Sequence, residues 1–287
     1  MFQFPEAPIP FGYTYSQLKN LLLSIEIDNS GPGALAPYVE DSFERFLFTW
    51  ELAKDHQGSC LELGANPYFT TLLLKEFSSL DMKLANYFGG DTKSGSQNLS
   101  WSQNDRIRSK ELTFDHFNLE EGSFPYPDSS FDVILFCEII EHLLMNPLHC
   151  LREINRCLKP NGVLITTTPN VARLGNVFAM IDGTSIYDPY SGFGPYGRHN
   201  REYSLAELNR LLEFAGFKTT KSFTANSHAD HLAMRTDYDK ICQLVAHRPN
   251  DLGQYLFTSA VKVGAPKAGL PAFLYRSWPE EEMNYEG

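Results

Sequence analysis

From Gly58 to Thr168, short apolar runs alternate with stretches of helical spacing, and few architectures accept that alternation. Residues 59–63, 82–87, 112–117, 131–136 and 163–168 read as strands; residues 69–79 and 138–158 carry helical periodicity. Lys159-Pro160-Asn161-Gly162 stops the second helix and turns the chain into the next strand. Strands that return through helices run parallel and bury both faces. The pattern therefore predicts an α/β fold class, a Rossmann-like doubly wound, mostly parallel sheet.

The flanks extend this frame. Residues 1–57 form an N-terminal helical extension, with helices expected over 16–25 and 37–54; Phe43, Phe46, Leu47 and Trp50 make one apolar face. The main domain is expected over 58–264. Residues 170–203 break its alternation with five glycines and with Tyr187, Tyr190, Phe193, Tyr196 and Tyr203, and are expected to form a lid insertion. Ser204 with Glu207 then opens a helix as a capping box, and strands over 217–223 and 255–263, with a helix over 238–247 between them, close the sheet. The tail, 265–287, is Pro-rich and then acidic, and is expected on the surface.

Composition removes several classes. The 287-residue chain carries a net charge of −11, which opposes wrapping of nucleic acid or docking on anionic membranes. Its apolar runs fall short of the ~18 residues that span a bilayer, and MFQFPEAPIPFGY lacks the pattern of a signal peptide. A cytoplasmic protein is expected. Cys60, Cys137, Cys150, Cys157 and Cys242 are odd in number and form no CxxC pair, so they read as structural thiols.

The first strand ends in LELGANP, residues 61–67. A glycine at that turn lets a ligand approach the backbone at the sheet's carboxyl edge. Asn66 and Phe69 stand where a GxGxxG fingerprint needs glycine, which argues against a nicotinamide dehydrogenase. Neither a GxSxG elbow nor a P-loop is present. Downstream, FPYPDSSFDVILFCEIIEHL (124–143) and LREINRCLKPNGVLITTTPN (151–170) complete a pattern that resembles class I S-adenosylmethionine-dependent methyltransferases over roughly residues 58–223. The resemblance implies S-adenosyl-L-methionine as cofactor. It places Glu62, Gly64 and Ala65 at the methionine end, Asn86 at the ribose in place of the family's aspartate, Asn118 and Leu119 at the adenine, and Cys137 in the pocket wall.

Within CEIIEHL, Glu138, Glu141 and His142 stand at i, i+3 and i+4, so a helix would put all three on one face at the edge where such sheets bind ligands. Ubiquinone-pathway O-methyltransferases and small-RNA 2′-O-methyltransferases use a similar ExxEH segment with a metal; in the RNA enzymes a histidine follows a later TPN segment. Here Thr168-Pro169-Asn170 is followed by His199 in GRHNREYS. The resemblance thus implies a site of Glu138, Glu141, His142 and His199 that holds a divalent cation such as Mg²⁺. A metal-free polar site, with His142 or His199 as base, and a helix-capping role stand beside it. His228-Ala229-Asp230-His231 reads as a solvated turn.

The expected function is S-adenosylmethionine-dependent methylation of a hydroxyl on a small molecule or glycan; the 167–217 region resembles bacterial methyltransferases of polysaccharide and secondary-metabolite pathways. A non-catalytic cofactor-binding partner is one alternative. A nucleic-acid 2′-O-methyltransferase is another, and the acidic charge opposes it.

Overall fold

The computed structural model describes residues 2–285 apart from 29 and 105. Strands β1 (Glu26–Ile27), β2 (Gln57–Leu63), β3 (Ser79–Asn86), β4 (Ser94–Gln103), β5 (Arg106–His116), β6 (Phe131–Cys137), β7 (Leu158–Pro169), β8 (Phe217–Ala225) and β9 (Tyr255–Lys262) form one sheet. Its order is β1-β4-β5-β3-β2-β6-β7-β9-β8. The five strands from β5 to β7 are parallel, while β1, β4, β8 and β9 add antiparallel edges. Helices α1 (Tyr15–Leu23), α2 (Ala36–Ala53), α3 (Phe69–Phe77), α4 (Pro147–Cys157), α5 (Leu174–Ile181), α6 (Leu205–Phe214) and α7 (Tyr238–Leu244) complete the fold. None of the described helices is long and apolar enough to cross a membrane.

The central strands sort their side chains by the two-residue period of a pleated sheet. Cys60, Val133 and Leu135 join Phe43, Leu47 and Leu73 of α2 and α3 in one core; Leu61, Leu63, Ile134 and Phe136 join Ile154 and Leu211 of α4 and α6 in the other. Both faces are thus covered, and the N-terminal extension is one of the covering layers. The chain leaves β2 toward β3 and returns to β6 on the opposite side. The sheet order therefore reverses between β2 and β6, which opens a crevice at their carboxyl ends.

Three local expectations are corrected. The helix expected over 138–158 is instead a single 3-10 turn, Ile140–His142, followed by α4 from Pro147. Pro147 restrains the residue before it from helical angles, and Asn146 caps α4 by accepting the His149 amide at 3.2 Å. The β4–β5 hairpin extends the sheet where a single strand over 112–117 was expected. The tail does not lie free: Leu270 and Tyr275 are buried, Leu270–Pro271 (β10) pairs with Met283–Asn284 (β11), and the Tyr275 hydroxyl donates to Asn146 Oδ1 at 2.8 Å.

Candidate functional site

A cavity of about 330 Å³ opens where β2 and β6 diverge, lined by Gly64, Asn86, Leu119, Glu138, His142 and Tyr196 among others. Gly64 closes β2 at φ 64°, a left-handed angle that L side chains resist. A Cβ there would lie 3.0 Å from Ile139 Cδ1. The following loop is braced from β3 and the hairpin. Asn86 Oδ1 accepts the Asn66 amide at 2.8 Å and Asn86 Nδ2 donates to the Tyr68 hydroxyl at 3.0 Å. That hydroxyl donates to Gln97 Oε1 at 2.6 Å, which also accepts from Asn66 Nδ2 at 3.1 Å. The Asn86 amide is therefore committed to shaping the loop.

The other residues expected around the cofactor divide by what they touch. Asn118 and Leu119 line the cavity, and Asn118 Nδ2 donates to the Tyr196 hydroxyl at 3.2 Å, so the 182–203 loop reaches over this wall. Ala65 and Cys137 line a second, smaller cavity of about 50 Å³ behind Gly64. Burial pushes the Cys137 thiol up to about 12, so it stays a thiol. Glu62 turns inward to accept the Thr71 hydroxyl, and burial raises its carboxyl to about 8.

Glu138 and Glu141 part company. Glu138 leaves β6 at φ 53° and its carboxylate accepts the Thr167 hydroxyl at 2.8 Å and pairs with Arg45 Nη1 at 2.9 Å. Arg45 comes from α2. It is 4% exposed, donates through Nη2 to the Tyr38 hydroxyl at 2.7 Å, and packs against the rings of Phe46 and Tyr255. Its Nε has no partner. Sequence reasoning passed over Arg45, although it is the lone base within α2, amid an apolar run.

Glu141 is fully buried. Oε2 accepts the Thr168 hydroxyl at 2.8 Å, while Oε1 has no hydrogen-bond partner and lies 3.8 Å from His142 Nε2. Burial raises the Glu141 carboxyl above its ordinary value despite both imidazoles. Arg198 O accepts from His142 Nδ1 at 2.9 Å in the tautomer that this contact requires, leaving Nε2 as the basic nitrogen. His199 Nδ1 donates to Glu202 Oε1 at 3.0 Å, and Glu202 also pairs with Arg173. Burial opposes charge on His199, but Glu202, Glu141 and Asp188 outweigh it and hold its pKa above the ordinary imidazole value.

Glu141, His142 and His199 each offer a ligand atom, and the three atoms lie within 4.8 Å of one another. The structure thus brings three of the four expected ligands together and leaves Glu138 outside. Without a helix through 138–142, the i, i+3, i+4 argument does not hold for Glu138. On the far side of the trio lies another cavity of about 330 Å³, with Arg173, His199, Glu202, His228, Asp230 and Tyr255 in its wall. His228 and Asp230, read from sequence as a solvated turn, belong to that wall.

Residues 36–222 match the family described as "Methyltransferase domain". A Mycolicibacterium smegmatis protein described as "Probable S-adenosylmethionine-dependent methyltransferase" is 36% identical over 113 residues, which are 39% of this chain and 38% of that protein. A Mycobacterium tuberculosis protein of the same description is 32% identical over 111 residues, 39% of this chain and 35% of that one. The aligned segments thus span well under half of either relative. Among solved structures, a SAM dependent methyltransferase from Archaeoglobus fulgidus superposes with a TM-score of 0.44 at 15% identity, covering 79% of this chain and 91% of that chain. With a family match across 36–222 that takes in α2, the β2–β6 crevice and the Glu141–His142–His199 cluster, this chain belongs to the methyltransferase domain family.

Proposed function

We propose that the protein is an S-adenosylmethionine-dependent methyltransferase that methylates a hydroxyl of a small molecule or glycan. The observation that carries this reading is the meeting of Glu141, His142 and His199 between the crevice cavity, which His142 lines, and the second cavity, which His199 lines. The crevice suits the cofactor: the loop at Gly64 bears no Cβ, and Asn118 and Leu119 supply a polar and an apolar wall. S-adenosylmethionine supplies an electrophilic methyl. The chain's own task is to place the acceptor oxygen and take its proton. His142 Nε2 is free to accept that proton, with Nδ1 anchored on Arg198 O and the Glu141 carboxyl 3.8 Å away.

The same three side chains could hold a divalent cation, since each imidazole is oriented through its Nδ1 as metal-ligating histidines are. Such an ion would acidify the acceptor hydroxyl. The five unpaired cysteines, four of them buried, suit a reducing, cytoplasmic setting. The test is calorimetry with S-adenosylhomocysteine, then transfer of labelled methyl from S-adenosylmethionine to pools of sugars and phenols. Binding followed by labelling that is lost in His142→Gln supports the reading. Binding with no labelling of any pool turns it into a non-catalytic cofactor-binding protein, and activity that survives chelators removes the cation.

A further inference from the structure

The cavity on the His199 side of the cluster has polar atoms in its wall that the fold does not use. Arg173 makes both of its hydrogen bonds through Nη1, to Asn170 O at 2.9 Å and to Glu202, so among the described residues its Nε and Nη2 have no partner. Asp230 Oδ1 accepts the Leu232 amide at 3.3 Å, while Oδ2 has no partner among the described residues. His228 meets Asp41 O through Nδ1 at 3.3 Å, which leaves its Nε2 over. The Tyr255 hydroxyl, in the same wall, makes no hydrogen bond among the described residues. The wall thus offers donors, an acceptor and groups that can be either, beside the His199 imidazole.

That wall discriminates among acceptors. A phenol needs an apolar slot, but the lining has few apolar side chains, and the Tyr255 ring already carries the Arg45 guanidinium 5.3 Å from its centroid. An anionic acceptor would meet Glu202 and Asp230, and a cationic one would meet Arg173. A neutral ring with adjacent hydroxyls satisfies both signs, since each hydroxyl donates to a carboxylate and accepts from a guanidinium. At about 330 Å³ the cavity is at the small end of ligand pockets, which run from ~300 to ~1,000 Å³, so it suits one such ring. Resting on the methyltransferase reading above, we infer that this cavity is the acceptor site and that the acceptor is a neutral sugar. One hydroxyl of the sugar reaches the His142–His199 pair, and its neighbours bond to Arg173 and Asp230. The acceptor oxygen bonds to the methyl carbon as the sulfur–methyl bond breaks and its electron pair stays on sulfur. The hydroxyl proton passes to His142 Nε2, and S-adenosylhomocysteine is left.

The test gives the full chain methyl-labelled S-adenosylmethionine with three separate acceptor pools: methyl glycosides of neutral hexoses, hexuronates, and catechols. The neutral glycosides should be labelled at least about tenfold faster than either other pool. Faster labelling of catechols or hexuronates overturns the sugar assignment and leaves the methyltransferase reading standing. Binding of S-adenosylhomocysteine with no pool labelled overturns the assignment together with catalysis, and no binding overturns the methyltransferase reading itself. On the labelled glycoside, Asp230→Ala should raise KM about tenfold while kcat and the affinity for S-adenosylhomocysteine stay within about threefold of wild type. Asp230→Asn should recover part of that loss. An unchanged KM in Asp230→Ala overturns the placement of the sugar in this cavity.

Discussion

His142 and His199 pack edge to face, with ring centroids 5.0 Å apart and ring planes at 77°. They come from different parts of the chain, one from the turn after β6 and the other from the loop before α6. What joins them is backbone. Arg198 O holds His142 Nδ1 at 2.9 Å, and the amides of Asn200 and Arg201 donate to Glu141 O at 2.7 and 3.1 Å. The loop that carries His199 is therefore stitched to the 3-10 turn on both sides of that residue.

Replacing His199 should cost turnover more than cofactor affinity. His199→Gln is expected to lower kcat by about 10²–10⁴-fold, the usual worth of a positioned base or its partner. Its affinity for S-adenosylhomocysteine should stay within about threefold of wild type, because His199 lines the far cavity and not the crevice. The pH profile adds a second check. An imidazole that must be neutral to act, with a pKa held above the ordinary value, should leave the enzyme inactive at acidic pH and raise its rate through a midpoint above 6.5. A kcat unchanged in His199→Gln would leave His142 alone as the base.

Glu62 predicts an inverse stability effect. Its carboxyl titrates near 8 when folded against 4.5 when free, so the folded state holds the proton more tightly. Stability from this group is complete below pH 4.5 and drains away as pH rises toward 8. Glu62→Gln keeps an acceptor for the Thr71 hydroxyl and has no charge to bury. The variant should be more stable than wild type at pH 8 by about 1–3 kcal/mol and should flatten the fall of Tm between pH 5 and 8. Denaturant unfolding at pH 5 and 8 measures both; a variant less stable than wild type at pH 8 would refute the assignment.

How far the sequence carried depends on how local each signal was. The buried runs of β2 and β6 announced the sheet because strands covered on both faces are apolar at every position. The β4–β5 hairpin escaped because one of its faces is solvated: Leu99, Trp101, Leu112 and Phe114 alternate with polar residues and make no continuous run. The convergence of His199 with Glu141 and His142 was implied by the family resemblance, in which a histidine follows a later TPN segment, and not by residue spacing. The placement of Glu138 did not, since it turns on the φ of one residue and on Arg45, which lies over ninety positions upstream. Asn86 shows the same limit. Its position at the end of β3 was legible, but its commitment to Asn66 and Tyr68 depends on a loop fold that no residue pattern displays.

The brace beneath the β2 loop makes Gln97 a test of action at a distance. Its Oε1 accepts from both Tyr68 and Asn66, and it sits on the hairpin outside the crevice wall. Gln97→Ala removes two hydrogen bonds, one of them to a buried tyrosine, and should cost about 1–2 kcal/mol of stability. If the brace shapes the cofactor site, affinity for S-adenosylhomocysteine should fall about 3- to 10-fold as well. Lost stability with unchanged affinity would confine Gln97 to the fold.

Gly64 and Tyr196 bound the crevice from opposite sides. At Gly64, a side chain faces a left-handed φ and a neighbour at 3.0 Å whose flexible end can yield, so Gly64→Val should lose about 1–2 kcal/mol from backbone strain and weaken cofactor binding further by filling the space beside it. Tyr196 tests the expected lid. It joins the 182–203 loop to the crevice wall through Asn118 at 3.2 Å and the edge of the Tyr87 ring at 6.1 Å, whereas Tyr187, Tyr190 and Phe193 stand in solvent. Residues 198–201 are stitched to the 3-10 turn, but the exposed tip around Tyr187, Tyr190 and Phe193 should exchange its amides quickly in the free protein. Cofactor filling the crevice would extend the surface beneath Tyr196, so hydrogen exchange over residues 184–198 should slow about tenfold with S-adenosylhomocysteine and less in Tyr196→Phe. Slow exchange without ligand, unchanged on adding it, would mean that the loop is a fixed strap across the sheet edge.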